Sequence, residues 1–188
     1  MVKLSSLSLI LLINLGASFL VGCAPSETQL LSDHKAIIGR YADQMPAIPP
    51  GKKVVLVGGV FDVIHYGHLG FFKAAKAHGD YLVIAIEPDA FIKKCKQRIP
   101  VHTQEQRAEI LSHLDMVDVV IMLPRMKGYK DYLKLVEVVR PSVVAITEGD
   151  PYRAEKEKQA ASIGAHVVAV VNRSPGFSTS QILRHSCK

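Results

Sequence analysis

From Lys52 onward the chain alternates between two hydrophobic rhythms. Val54-Val55-Leu56-Val57 is a continuous apolar run closed by Gly58-Gly59, the pattern of a strand buried on both faces. Tyr81 to Ile86, Val119 to Leu123, Val143 to Ile146 and Val167 to Val171 repeat it. Between these runs the apolar positions fall at helical spacing. His68 to Ala77 carries Leu69, Phe72 and Ala75 and stops at Gly79. Thr103, with Gln106 three residues on, opens a helix to about Met116. Tyr132, Leu135, Val136 and Val139 keep one helix face until Pro141 ends it. Arg153 to Ile163 and Ser178 to Arg184 predict two more helices. Strands alternating with helices through short links predict an α/β fold: a Rossmann-like, five-stranded parallel sheet with helices on both faces. Ligands of such sheets bind beyond the carboxyl ends of the strands, so the loops after Val57, Ile86, Leu123, Ile146 and Val171 are the place to search.

Upstream the rhythm is absent. Met1 to Lys3 is a short basic start, and Leu4 to Ser26 carries no charge. A basic start, an apolar middle and small residues at the end describe residues 1–25 as a signal-like or membrane-anchor segment. Leu20-Val21-Gly22-Cys23 is similar to a bacterial lipoprotein box, in which Cys23 would be lipidated. The uncharged stretch is also long enough for an uncleaved membrane helix, and Met45 is an alternative start. Residues 26–51, with Pro46, Pro49 and Pro50, read as a linker with one short helix, which leaves residues 52–188 as the folded domain.

Composition narrows the classes. Apolar residues are 48% and charged residues 21% of 188, so most of the chain can bury a core and is not disordered. The three cysteines, Cys23, Cys95 and Cys187, are too far apart for a disulfide framework or a Cys-x-x-Cys zinc pair. A net charge of +6 points to an anionic partner. Nucleic acid is not expected, because the basic residues are scattered and no aromatic residues interleave with them. There is no Walker-type loop and no Gly-x-Gly-x-x-Gly.

The first loop holds the distinctive chemistry: Gly58-Gly59-Val60-Phe61-Asp62-Val63-Ile64-His65-Tyr66-Gly67-His68. Two glycines after a buried strand allow close approach by a ligand. His65 and His68 flank Gly67 at the mouth of a helix, where free N–H groups attract phosphate. Two imidazoles there can donate hydrogen bonds to a phosphoryl group as its charge spreads. Alternatively His65 packs in the loop and His68 caps the helix; a zinc pair would lack a third ligand.

This loop, followed by Gly79-Asp80-Tyr81-Leu82-Val83-Ile84-Ala85-Ile86, closely resembles the cytidylyltransferase-like nucleotidyltransferases. That family takes in glycerol-3-phosphate cytidylyltransferase, the nucleotidyl domain of heptose-phosphate adenylyltransferases and archaeal FAD synthase. The resemblance runs from about Lys53 to Ile182. Asp89, Lys96 with Arg98, Glu105-Gln106-Arg107, Gly149-Asp150 and Phe177-Ser178-Thr179-Ser180-Gln181-Ile182 fall in the family's order.

The resemblance implies transfer of a nucleoside monophosphate from CTP or ATP to a small phosphorylated alcohol or sugar, with release of pyrophosphate. It implies that His65, His68, Lys96 and Arg98 are catalytic. Gly59, Val60, Phe61, Asp62, Gly67, His68, Gly149, Asp150, Ser178, Thr179 and Ser180 would bind the nucleotide, and Asp89 and Arg107 the acceptor. Mg²⁺ would accompany the nucleotide, with no metal site of the protein's own. Each residue also has a plainer reading: Asp62 bonds the turn, Ser178 to Ser180 cap a helix, and Lys96 and Arg98 lie on a solvated loop. Arg173-Ser174-Pro175-Gly176 departs from the family's Arg-Thr-Glu-Gly, which leaves the choice between CTP and ATP open. A second class of function is a catalytically silent, membrane-tethered nucleotide-binding module. A membrane, through the N-terminal segment, and a second copy of the chain complete the partners considered. Nucleotide chemistry places the domain on the cytoplasmic side, against the alternative of an exported lipoprotein.

Overall fold

The computed structural model describes residues 36–41, 43–172, 179 and 181–182. The N-terminal segment with Cys23 lies outside them, as do Ser178, Ser180 and the Arg173 to Gly176 departure. Among the described residues no helix is long and apolar enough to cross a membrane.

The elements in chain order are β1 (Ile37–Arg40), β2 (Val54–Gly59), α1 (Tyr66–Lys76), β3 (Tyr81–Ile86), α2 (Asp89–Lys96), α3 (Gln104–Ser112), β4 (Val119–Met122), α4 (Tyr129–Val139), β5 (Val143–Thr147), α5 (Arg153–Ala161) and β6 (His166–Val171). The strands form one parallel sheet in the order β1-β4-β3-β2-β5-β6. All five runs read from the sequence are strands. The sheet has six rather than five, because Ile37–Arg40, inside the stretch read as a linker, pairs with β4 from Ile37↔Val119 to Arg40↔Met122. That strand is four residues long with two exposed, so no burial pattern marks it; the free edge of β4 selects it. The short helix α2 is a second addition, anchored by the fully buried Ile92.

Continuous apolar strands bury both sides of the sheet. On one face Phe72 of α1 and Leu111 of α3 pack with Val55, Val57, Leu82 and Ile84. On the other, Leu135, Val136 and Val139 of α4 pack with Leu56, Val83, Val119 and Ile121. Each such fully buried aliphatic side chain contributes roughly 1.5–3 kcal/mol. Thr103 forms the expected capping box: its hydroxyl accepts from Gln106 N–H at 3.3 Å, and the Gln106 side-chain Oε1 accepts from Thr103 N–H at 3.0 Å.

Strand order fixes where a ligand can go. The chain leaves β2 through α1 to β3 on one side, and reaches β5 on the other side only after β4 and α4. The order therefore reverses between β2 and β5, and a crevice opens beyond their carboxyl ends.

Candidate active site

Gly59, Phe61 and the two histidines form one packed unit beside that crevice. Phe61 adopts a left-handed backbone (φ 48°), unusual for a bulky residue. Its ring occupies the space a side chain on residue 59 would need: a Cβ on Gly59 would lie 2.7 Å from Phe61 Cζ. The same ring meets His68 edge-on, with centroids 5.2 Å apart, and Phe72 at 5.0 Å. His65 is the N-cap of α1 through its backbone; its carbonyl accepts from the N–H groups of His68 (2.9 Å) and Leu69 (3.2 Å). Its side chain makes no cap bond and instead stacks on His68, with centroids 3.7 Å apart and ring planes 20° apart. The cap belongs to the His65 backbone, and its imidazole takes no part in it.

Both rings are electrostatically primed to be neutral. Burial pushes the His68 pKa down to about 4, helped by the neighbouring His65 and opposed by the Val63 backbone. Burial also lowers His65. The Nδ1 atoms of both rings are buried and make no well-formed hydrogen bond among the described residues. The two imidazoles stand at the start of α1, where a nearby anion would favour their protonated forms again.

The residues expected to touch the nucleotide and acceptor directly divide into two groups. Asp62, Arg98, Arg107 and Asp89 come together, but as a clasp under the loop. The Asp62 carboxylate is fully buried and accepts from the Arg98 guanidinium, from Val101 N–H (3.0 Å) and from His102 N–H (3.0 Å). Its carbonyl meets His102 Nδ1 at 2.8 Å. Burial alone would raise the Asp62 carboxyl; the His102 N–H, Arg98 and the Val101 N–H outweigh it and hold the group below the ordinary carboxylate range. Arg107, with no exposed surface, donates to the carbonyls of Val60 (2.6 Å) and His102 (3.3 Å) and to Asp89 Oδ1 (2.8 Å). The plainer reading of Asp62 as a loop-bonding residue describes this geometry, and Arg107 has no face with which to meet an acceptor. Lys96 stands apart, exposed in the last turn of α2.

On the β5 side, Gly149 is left-handed (φ 72°) with open space where a Cβ would be. The neighbouring Asp150 accepts from Tyr152 N–H (2.8 Å) and Lys156 Nζ (2.7 Å), which closes the turn into α5. Thr179 is helical and half-buried. Three residues not anticipated from the sequence complete the sheet edge. The Gln104 amide donates to the carbonyls of Ile86 (3.0 Å) and Leu123 (2.8 Å), joining the ends of β3 and β4. The hydroxyl of Tyr132 donates to Glu87 Oε1 at 2.7 Å. Burial raises the Glu87 carboxyl, against the Tyr132 hydroxyl, Arg107 and Lys156. A carboxylate directly after an all-apolar strand was the one available signal for Glu87.

Among the described residues no group of three or more His, Cys, Asp or Glu forms a metal cage.

The chain resembles known proteins over most of its described residues. Residues 56–185 match the family model described as cytidylyltransferase-like. FAD synthase of Thermococcus kodakarensis is 38% identical over 140 residues, covering 71% of this chain and 91% of that protein. The bifunctional protein HldE of Wolinella succinogenes is 31% identical over 135 residues, 71% of this chain but 27% of the larger relative. Among solved structures, the lipopolysaccharide core biosynthesis protein from Thermoplasma volcanium superimposes with a TM-score of 0.54 at 29% identity, covering 66% of this chain and 98% of that one. The family match begins inside β2 and runs past β6, and on that span the chain belongs to the cytidylyltransferase-like family and is a nucleotidyltransferase.

Proposed function

We propose that the protein transfers AMP from ATP to the phosphate of a small phosphorylated acceptor. The observation that carries this reading is the stacked His65–His68 pair at the start of α1, beside the β2/β5 crevice. ATP is favoured over CTP by the relatives, since FAD contains an adenylate half.

In this reading an oxygen of the acceptor phosphate attacks the α-phosphorus of ATP and forms a new P–O–P linkage. The bond from the α-phosphorus to the oxygen bridging to the β-phosphorus breaks, and its electron pair leaves with pyrophosphate. A phosphate monoester has its second pKa near 6, so the attacking oxygen is already anionic and needs no general base. The protein's part is positioning and charge stabilisation. The helix N–H groups and both imidazoles receive the phosphates, with His68 nearest the reacting centre. Gly59 to Phe61, Gly67 and Gly149-Asp150 line the nucleotide, and Ser178, Thr179, Ser180 and Lys96 add phosphate contacts. Asp62, Arg98, Arg107 and Asp89 position the loop. Mg²⁺ enters on the triphosphate and neutralises its charge. Because the substrate is a nucleoside triphosphate, the domain faces the cytoplasm, with residues 1–25 as a tether or absent after a downstream start. Mass spectrometry of the native N-terminus tests this; a lipid on Cys23 together with a protease-accessible domain outside the cell overturns it.

The function is tested by pairing ATP, CTP, GTP and UTP with FMN, sugar phosphates and glycerol 3-phosphate, with Mg²⁺, and measuring pyrophosphate release. Release that needs ATP and one acceptor is expected. Release with CTP instead overturns the nucleotide assignment, and binding without release with any pair favours the silent module.

A further inference from the structure

The basic residues are scattered along the sequence, but the fold gathers six of them on one surface. Lys94 of α2 and Arg125 and Lys127 of the loop after β4 line one cavity, together with Phe91 and Met126. Lys93 stands beside Lys94 in α2. Lys127 and Lys130 line a hollow at the start of α4, and Lys134 follows Lys130 by one helical turn. All six are exposed, and among the described residues none of them is in an ion pair. Elsewhere Lys76, Arg98, Arg107, Arg153 and Lys156 each hold a carboxylate. The acids on the basic surface are Asp131 and Glu137 of α4, and Asp131 already accepts from the Lys127 N–H at 2.6 Å. Glu87, beside it, is buried, and Asp89 is taken up by Arg107. Apolar groups lie between the charges: Phe91 and Met126 are half-buried, and Val138, one turn beyond Lys134, is 47% exposed. Like charges held together repel, and a polyanion relieves that repulsion.

Resting on the tethered, cytoplasm-facing reading above, we infer that this surface is the face by which the domain docks on an anionic lipid bilayer. The rest of the chain singles out a membrane among polyanions. Leu4 to Ser26 carries no charge and is long enough to enter or span a bilayer. Ten residues, 27–36, separate it from β1, a reach of at most about 36 Å. β1 lies beside β4 and parallel to it, so the chain joins the sheet at the edge whose next strand leads straight into Arg125 and Lys127. Four strand residues cover about 13 Å, which lets the apolar segment lie level with the basic surface. The segment then holds the domain at the bilayer, and the cations fix which face meets it. Each Lys or Arg near an anionic leaflet strengthens binding about fivefold. Apolar side chains between cations suit the boundary of headgroups and acyl chains.

Cys95, an exposed free thiol that lines the same cavity as Lys94, reports contact without any turnover. The full chain is mixed with vesicles of phosphatidylcholine, alone or with phosphatidylglycerol, and alkylation of the Cys95 peptide is followed by mass spectrometry. Anionic vesicles are expected to slow alkylation about tenfold or more and neutral ones little, although both retain the protein through its apolar segment. Salt near 1 M, where the screening length is about 3 Å, should remove the protection and not the retention. That comparison needs no variant. Lys127→Glu/Lys130→Glu/Lys134→Glu should lose the protection, whereas Lys52→Glu/Lys73→Glu/Lys158→Glu, equal in charge and exposed elsewhere, should keep it. Equal protection by neutral vesicles, or full protection of the first variant, overturns the inference. Protection by RNA at physiological salt with none by anionic vesicles also overturns it and assigns the surface to nucleic acid. Protection by anionic vesicles without retention on neutral ones sinks the tether reading and leaves the docking face standing. Retention on both without protection does the reverse.

Discussion

The ring of Phe61 stands edge-on to His68 at 5.2 Å, on a backbone whose φ of 48° an aromatic residue rarely adopts. Strain of this kind costs on the order of 1–2 kcal/mol and persists where packing over-determines it. Here the ring is locked between Phe72, His68 and the missing side chain of Gly59, so one residue both fills the core and sets the orientation of the imidazole.

Gly59→Ala should therefore impair the enzyme by displacing the Phe61 ring that packs against His68. The new Cβ would sit 2.7 Å from the Phe61 ring and push it toward His68. A loss of about 1–3 kcal/mol of stability, typical of overpacking, is expected, with a fall in kcat larger than the stability loss explains. Thermal melting and pyrophosphate release measured together decide it; an unchanged kcat would show that Phe61 does not set His68.

His68→Ala should lower kcat by about 10²–10³ while the fold survives, the usual effect of deleting one preorganised donor to a developing charge. His65→Ala should also be severe, because it removes both a donor and the ring on which His68 stacks. Turnover within threefold of wild type in His68→Ala would reduce the residue to a packing role.

Acid should weaken the apoprotein through the same pair. The folded-state pKa of His68 is about 4, below its ordinary value of 6.5. The unfolded chain binds the proton first, so the stability contributed by the neutral ring is complete above pH 6.5 and is lost as pH falls toward 4. Denaturant melts between pH 4 and 7 should show this decline, and His68→Phe should flatten it. ATP binding below pH 6.5 should take up protons, measurable by calorimetry in buffers of different ionisation enthalpy.

Asp62→Ala should act on stability. It strands Arg98 and the N–H groups of Val101 and His102, and breaking a buried pair from one side costs about 3–5 kcal/mol. Arg107→Leu should cost a similar amount by freeing the carbonyls of Val60 and His102. Urea unfolding should show a lower midpoint with an unchanged slope. A selective rise in the KM for the acceptor with normal stability would restore Arg107 to direct substrate contact.

Local sequence carried the parts of this protein that local physics decides. A run such as Tyr81 to Ile86, apolar at every position, has no stable place except inside a sheet, and all six of its residues are buried. Thr103 and Gln106 satisfy each other's backbone groups within one turn, so their capping box was readable where it stood. His65, Gly67 and His68 stood out as a candidate anion site because a strand end and a helix start meet within a few residues. Tertiary structure decided what depends on distant partners. Ile37–Arg40 is a strand only because β4 offers it an edge. Asp62 meets Arg98 across 36 residues, Arg107 meets Val60 across 47, and Tyr132 meets Glu87 across 45. A charged side chain in a loop is by default solvated, and nothing within its own stretch of chain says otherwise. Whether it turns outward to a ligand or inward to hold a loop is settled only when folding brings its counter-charge, or a row of backbone N–H groups, to within hydrogen-bond distance.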